Sequence, residues 1–320
     1  MIYLREFILP KDTWVDCYFN YYDPEGDPDI SPEFKTNWDV PKDFPTISEK
    51  ACVNSWYPWN TFYGRGLLNF VFDDVTILYG GNGSGKTTLL NVIAQGLLLS
   101  RMTRYNRSTY FDDYVNVCSY TLEDDEHIKA IRRGRIVTSD DVFENMLQKR
   151  EENDRKDSTR DKLFHNFYDL IKHGEVPTKN LTDPKVLEEF KLMRRIKGGM
   201  SCSSYIRSKL KANVQEYSNG ETAFQYFVDA IQDNSLILLD EPENSLSAKW
   251  QIELTNFLAG TSRTLGCQLI IATHSPFLLS IPGVKIYDLD SNPIKTNKWY
   301  NLENIRHYYQ LFKDNEIYFE

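Results

Sequence analysis

The stretch Gly80-Gly81-Asn82-Gly83-Ser84-Gly85-Lys86-Thr87-Thr88 decides the fold. It matches the phosphate-loop pattern G-x-x-x-x-G-K-[ST], in which glycines let backbone N–H groups turn inward around an anion. Val75-Thr76-Ile77-Leu78-Tyr79 before it reads as a buried strand, and Leu89-Leu90-Asn91-Val92-Ile93-Ala94 after it continues an apolar helix. The helix N-terminus adds partial positive charge at the end of the loop. Strand, loop and helix together make a site for a nucleoside triphosphate. Gly80, Asn82, Gly83, Ser84, Gly85 and Thr88 form its cradle. Lys86 reaches the β- and γ-phosphates, and the Thr87 hydroxyl is a ligand for Mg²⁺.

Downstream segments narrow the chemistry. Ser235-Leu236-Ile237-Leu238-Leu239-Asp240-Glu241-Pro242 is an apolar strand ending in two carboxylates. Open α/β sheets bind ligands beyond the carboxyl ends of their strands, so this pair is expected beside the phosphate loop. Asp240 is expected to hold Mg²⁺, and Glu241 to orient and deprotonate the attacking water. Gln268-Leu269-Ile270-Ile271-Ala272-Thr273 is another buried strand, and His274 at its end is placed to hydrogen-bond the γ-phosphate or the water. Tyr217-Ser218-Asn219-Gly220-Glu221 opens a helical stretch over 222–231. An ordinary N-cap has the same pattern. At about twenty residues before Asp240, however, the Ser218 hydroxyl, the Gly220 N–H, Glu221 and the helix N-terminus make a second phosphate clamp. One chain has little use for two clamps on one γ-phosphate, whereas two chains packed head to tail use both. The segment Glu243-Asn244-Ser245-Leu246-Ser247 then falls at the contact between them.

This series resembles the ABC class of ATPases, with Walker A at 80–88, signature at 217–221, Walker B at 235–241, D-loop at 244–247 and His274 as switch histidine. D-E-P-E-x-x-L-S at 240–247 and A-T-H-S-P at 272–276 are similar to compact soluble members of the chromosome-maintenance and DNA-repair branch. ATPase subunits of bacterial anti-phage defence systems share that layout. The resemblance covers about 70–90 and 215–290. It implies an α/β P-loop fold of ABC type, a mainly parallel sheet flanked by helices, with an antiparallel β layer and a helical insertion. It also implies ATP and Mg²⁺ as cofactors, ATP hydrolysis, and a homodimer closed head to tail by ATP. The signature reads Y-S-N-G-E rather than L-S-G-G-Q, and Ser247 stands where aspartate is commoner. No glutamine loop can be assigned, since neither Gln95 nor Gln148 follows a convincing strand.

The motifs divide the chain into 1–100 (β layer and Walker A), 101–215 (a mainly helical, charged insertion), 216–290 (signature, Walker B and switch histidine) and 291–320 (a closing segment expected to pack on the core). The stretch 141–190 is helical in pattern, broken near 174–177 and at Pro184, and lacks the apolar heptads of a long coiled coil. Net charge is −9, but residues 101–215 carry 23 Lys and Arg against 19 Asp and Glu. Arg132, Arg133 and Arg135, and Arg194, Arg195 and Lys197, are either a nucleic-acid contact or an ordinary solvated surface. Aromatic pairs such as Tyr18-Phe19, Trp299-Tyr300 and Tyr308-Tyr309 read as packing more than as stacking platforms. No apolar stretch approaches the ~18 residues of a membrane span, and the first residues lack a signal-peptide layout. Cysteines 17, 52, 118, 202 and 267 are odd in number and scattered, which suits reduced thiols and a cytoplasmic protein.

The leading expectation is therefore an ATP-hydrolysing switch that regulates or assembles a soluble effector such as a nuclease or toxin, in anti-phage defence or a DNA transaction. The chain shows no nuclease constellation of its own, so any effector is expected on another polypeptide, the alternative being a motif-free activity in the 101–215 insertion. A transporter ATPase and a non-hydrolysing ATP-sensing scaffold are the alternatives.

Overall fold

Strands such as Val75–Tyr79 and Leu236–Asp240 show no polar alternation, so both of their faces need cover. The computed structural model describes residues 1–11, 57–124, 128–175, 177, 183–210 and 219–319, and there every residue of these two strands is buried. Two compact units result, one of residues 1–142 with 219–320 and one of residues 143–218.

The strands are β1 (Leu4–Ile8), β2 (Asn69–Val71), β3 (Val75–Tyr79), β4 (Ser119–Leu122), β5 (Arg135–Thr138), β6 (Leu236–Asp240), β7 (Gln268–Thr273), β8 (Lys285–Asp288) and β9 (Lys295–Asn297). The longer helices are α1 (Lys86–Gly96), α2 (Ser139–His173), α3 (Pro184–Lys197), α4 (Cys202–Lys209), α5 (Asn219–Ala230), α6 (Ala248–Thr264) and α7 (Glu303–Asp314). Among the described residues, all nine of these strands lie in the first unit. One sheet is antiparallel in the order β2-β1-β4; the other runs β5-β6-β7-β3-β8-β9 and is parallel except for β9. Leu89, Leu90 and Ile93 of α1 join Phe7 and Phe70 of the first sheet and Leu238 and Ile270 of the second in one apolar cluster. The phosphate-loop helix is thus buried between the sheets.

Gln268 stitches the two sheets together. Its side chain is fully buried at the start of β7. Oε1 accepts from the N–H groups of Tyr3 (2.9 Å) and Leu4 (2.8 Å), while Nε2 donates to the carbonyls of Leu4 (2.8 Å) and Asp73 (3.2 Å). One amide thereby satisfies three buried backbone groups where β1 begins and the half-buried Asp73 carbonyl just before β3.

Residues 101–215 contribute more to the first unit than their charge suggests. Their early part supplies β4, which pairs with β1, and β5, which pairs with β6. The second unit starts at Phe143, well after the expected start of the insertion at 101. The reason is local: Ile136 and Val137 are buried in the sheet although charged neighbours surround them in sequence. In the second unit, Phe167, Met193, Ile196 and Tyr205 form a small core among α2, α3 and α4. Helix α2 has 35 residues, a length of about 52 Å at 1.5 Å per residue. Asp183 caps α3 by accepting from the Lys185 N–H, and Pro184 occupies its first turn.

The closing segment makes less contact than expected. Leu302 and Ile305 are buried, but Tyr309, Leu311 and Phe312 of α7 are each more than half exposed. Ser218, Cys17, Cys52, Trp56 and the aromatic run at 18–22 lie outside the described residues. Among the described residues, no helix is long and apolar enough to cross a membrane.

Replacing Gln268 by Leu leaves the Tyr3 and Leu4 N–H groups and the Leu4 carbonyl buried without this partner. At about 1–3 kcal/mol for each group so stranded, stability should fall by at least about 3 kcal/mol, read as a lower urea midpoint. A loss below about 1 kcal/mol would contradict the stitching role.

Candidate functional site

Four parallel neighbours, β5, β6, β7 and β3, end on the same edge of the second sheet. Tyr79 pairs with Thr273, Ala272 with Asp240, and Asp240 with Thr138. The chain segments that leave β3, β6 and β7 start at Gly80, Glu241 and His274, so these three meet at the carboxyl edge where such sheets bind ligands.

The loop after β3 is held open by glycine. Gly85, the residue capping α1, has φ +99°, and a Cβ there would lie 2.8 Å from Thr61 Cγ2. Lys86 is buried: its Nζ donates to the carbonyls of Gly80 (2.8 Å) and Gly81 (3.0 Å) and lies 3.1 Å from Glu241 Oε1. The next residue in the helix, Thr87, donates its hydroxyl to Asp240 Oδ1 at 3.0 Å. Consecutive residues of α1 thus contact the consecutive carboxylates Asp240 and Glu241 at the end of β6. On the other side, the Gly81 N–H donates to both carboxylate oxygens of Asp290 (3.0 and 2.8 Å).

Glu241 sits in the left-handed region at φ 45°, ψ 53°, an uncommon conformation for a residue with a side chain. Its Oε2 accepts from Asn244 Nδ2 (2.9 Å), and His274 Nδ1 lies 4.0 Å from its Oε1. The two neighbouring carboxyls are driven apart. Burial pushes Asp240 up to about 7, against the lowering effect of the Thr87 hydrogen bond. Burial also opposes ionisation of Glu241, but hydrogen bonds from Asn244 and Lys86, with the Lys86 charge, hold it below the usual carboxylate range.

A cavity of about 440 Å³ opens beside the loop, lined by Tyr57, Asn60, Thr61, Asn82, Gly83, Gly85, Lys86, Thr87, Thr88 and Glu241. Among the described residues, the buried Ser84 Oγ has no hydrogen-bond partner. An ammonium, threonine hydroxyls and a glycine loop at a helix N-terminus fit a polyphosphate. Thr87 and Asp240 offer oxygens at hydrogen-bond distance from each other, which fits Mg²⁺, a cation that takes few protein ligands and keeps its other positions for water and phosphate.

The structure brings Lys86, Thr87, Asp240, Glu241 and His274 together. It does not bring Gly220 or Glu221 to this cavity: both lie in the first turn of α5, and a Cβ on Gly220 would fall 2.6 Å from Trp250 Cδ1. Several contacts went unread in the sequence: Asn244 on Glu241, Asp290 on Gly81, and the lining residues Tyr57, Asn60 and Thr61. Asn244 is within three residues of Glu241 and could have been found by its spacing. Asp290 becomes visible only when β8 is seen to lie beside β3.

A domain family described as an AAA domain, putative AbiEii toxin, type IV toxin–antitoxin system, matches residues 206–280. The Saccharomyces cerevisiae protein called uncharacterized ABC transporter ATP-binding protein/permease YOL075C is 25% identical over 227 residues. That match takes in 68% of this chain and 14% of the yeast protein's length. Similar solved structures include the ATP-binding cassette MJ0796 as a dimer in a post-hydrolysis state bound to ADP and Pi. It is 20% identical with a TM-score of 0.33, covering 73% of this chain and 90% of that one. Another is the Smc head domain from Pyrococcus furiosus with an extended coiled coil, bound to the C-terminal domain of ScpA. It is 13% identical with a TM-score of 0.35, covering 76% of this chain and 95% of that one. The domain match over 206–280 and the meeting of phosphate loop and carboxylates at one sheet edge fit a P-loop ATPase domain.

Lys86→Ala should lower affinity for a fluorescent ATP analogue by at least about tenfold, since a charge-assisted hydrogen bond is worth about 1.5–3 kcal/mol. Thermal unfolding of the same variant checks that it folds. Unchanged affinity in a folded Lys86→Ala would refute the phosphate-loop assignment.

Proposed function

We propose that this chain hydrolyses ATP as a molecular switch, closing head to tail on a second copy around the nucleotide and so regulating or assembling a partner protein. The observation that carries this reading is the convergence of Lys86, Thr87, Asp240, Glu241 and His274 at one end of a parallel sheet. In it, Gly80, Asn82, Gly83, Ser84, Gly85 and Thr88 cradle the phosphates. Lys86 exchanges its loop carbonyls for phosphate oxygens. Thr87 and Asp240 hold Mg²⁺, which neutralises phosphate charge. Glu241, kept ionised by Asn244 and Lys86, accepts a proton from the attacking water, and His274 contacts the γ-phosphate or that water. Ser218, Gly220 and Glu221 of the second copy complete the site.

The partner in this reading is a soluble effector such as a nuclease or toxin, in anti-phage defence. The family description fits a role in a toxin–antitoxin system, although the putative toxin it names is the matching domain itself rather than a partner. Nucleic acid is a further candidate, since Arg194, Arg195 and Lys197 are exposed in the last turn of α3. Cations there also complement the helix dipole without any ligand. The yeast relative's name favours a second reading, an ATPase subunit of a transporter; co-purification of a membrane-spanning subunit would support it.

Glu241→Gln should keep ATP affinity while turnover falls by about 10²–10⁴, the usual contribution of a general base. Ser218→Arg should leave ATP binding by the single chain intact and abolish turnover, measured as phosphate release. Turnover that survives Ser218→Arg would remove the head-to-tail arrangement from the account.

A further inference from the structure

Glu243 is an acid that the hydrolytic reading does not use. It lies in the short turn Pro242–Ser245 and is 5% exposed. Its Oε1 accepts from the Thr273 hydroxyl (2.6 Å) and from the N–H groups of His274 (2.8 Å) and Ser275 (3.2 Å). The same oxygen lies 3.2 Å from His274 Nδ1. Oε2 is buried and, among the described residues, has no hydrogen-bond partner. A carboxyl in such a place is costly, and an apolar side chain of similar volume is often as stable or more so. Its donors indicate what it does. These three donors come from three consecutive residues, 273–275, the segment that presents the histidine.

The contact with Nδ1 constrains the ring. A bare imidazole nitrogen and a carboxylate oxygen at 3.2 Å would oppose two lone pairs, whereas an N–H in that position is attracted. The side chain of His274 is 41% exposed while its Nδ1 faces buried acid, so the exposed part of the ring is the Nε2 side.

We propose that Glu243 is a positioning residue for His274, holding the ring as its Nδ1–H tautomer so that Nε2 is the end offered to water or to a γ-phosphate. This rests on the proposed hydrolytic reading of His274. The hold extends further along the loop. Ser275 Oγ donates to Gln251 Oε1 (2.7 Å), and Gln251 Nε2 donates to the Leu246 carbonyl (3.0 Å). The loop after β7 is thereby fastened to both ends of the segment 243–246, which the head-to-tail arrangement would place against the second copy. A change at that contact has a hydrogen-bonded route to the histidine.

The test reads the ring directly in the nucleotide-free protein. With ¹⁵N-labelled histidine, the chain has five histidines, and His274→Gln identifies the signal of interest. At a pH where the ring is neutral, wild type should show a protonated Nδ1 and an unprotonated Nε2. Glu243→Gln, whose amide oxygen still accepts, should keep that tautomer. Glu243→Met should lose it and lower kcat by at least about tenfold with KM for ATP little changed, the pattern of a lost transition-state contact. A wild-type ring protonated on Nε2 overturns the proposal without any variant having to fold, and leaves the hydrolytic role of His274 standing. A folded Glu243→Met with unaltered tautomer or kcat also overturns it. Turnover unchanged in His274→Gln instead overturns the reading of His274 on which the proposal rests.

Discussion

Everything at this site depends on β7 lying between β3 and β6 in parallel register. That placement puts the ends of three buried strands level, so a phosphate loop, a pair of carboxylates and a histidine from distant parts of the chain emerge side by side. All three strands are buried on both faces, as strands inside a parallel sheet are. Gln268, at the foot of β7, ties the same strand to the antiparallel sheet. A shift of β7 by one residue would turn its side chains to the opposite face and separate Thr273 and His274 from Glu243.

On that frame, charge is arranged before any ligand arrives. Lys86 is folded onto its own loop and onto Glu241, so the cation proposed to meet phosphate is held against the proposed base. Asp240 and Glu241 are adjacent in sequence yet titrate in opposite directions, one raised by burial and the other lowered by Asn244 and Lys86. Environments that push two acids apart are a common basis for giving them separate roles. A buried carboxyl that resists ionisation alone suits a cation site; one that stays ionised suits a proton acceptor. The left-handed backbone of Glu241 carries a strain of about 1–3 kcal/mol, of the kind that clusters where a side chain must be aimed. Asn244 and the backbone hydrogen bond from the Glu241 N–H to the Ala272 carbonyl (2.9 Å) hold it there.

The sheet is legible in the sequence because its strands are unbroken apolar runs, and the phosphate loop because glycine spacing at 80–85 has few other uses. Lys86, Thr87, Asp240, Glu241 and His274 follow from those strands, since motif spacing maps onto strand ends. Residues 101–142 are harder to read. Strands β4 and β5 are only four residues each, lie at sheet edges and sit among charges, so periodicity is too short to separate them from the helical insertion. The helices of 139–197 are legible from their breaks at 174–184, where glycine and proline interrupt the pattern. Asp290, Tyr57 and Thr61 act through tertiary proximity alone, and no local pattern marks them. Glu243 is visible as part of D-E-P-E, but its partners come from residues thirty or more positions away.

The central claim is that two copies share the site through ATP. Its most direct test is the solution mass of Glu241→Gln with and without Mg-ATP, because that substitution keeps the shape of the residue and removes the proton acceptor, so a closed pair should persist. The account predicts monomer mass without nucleotide and twice that mass with it. A mass that ATP leaves unchanged would contradict the claim.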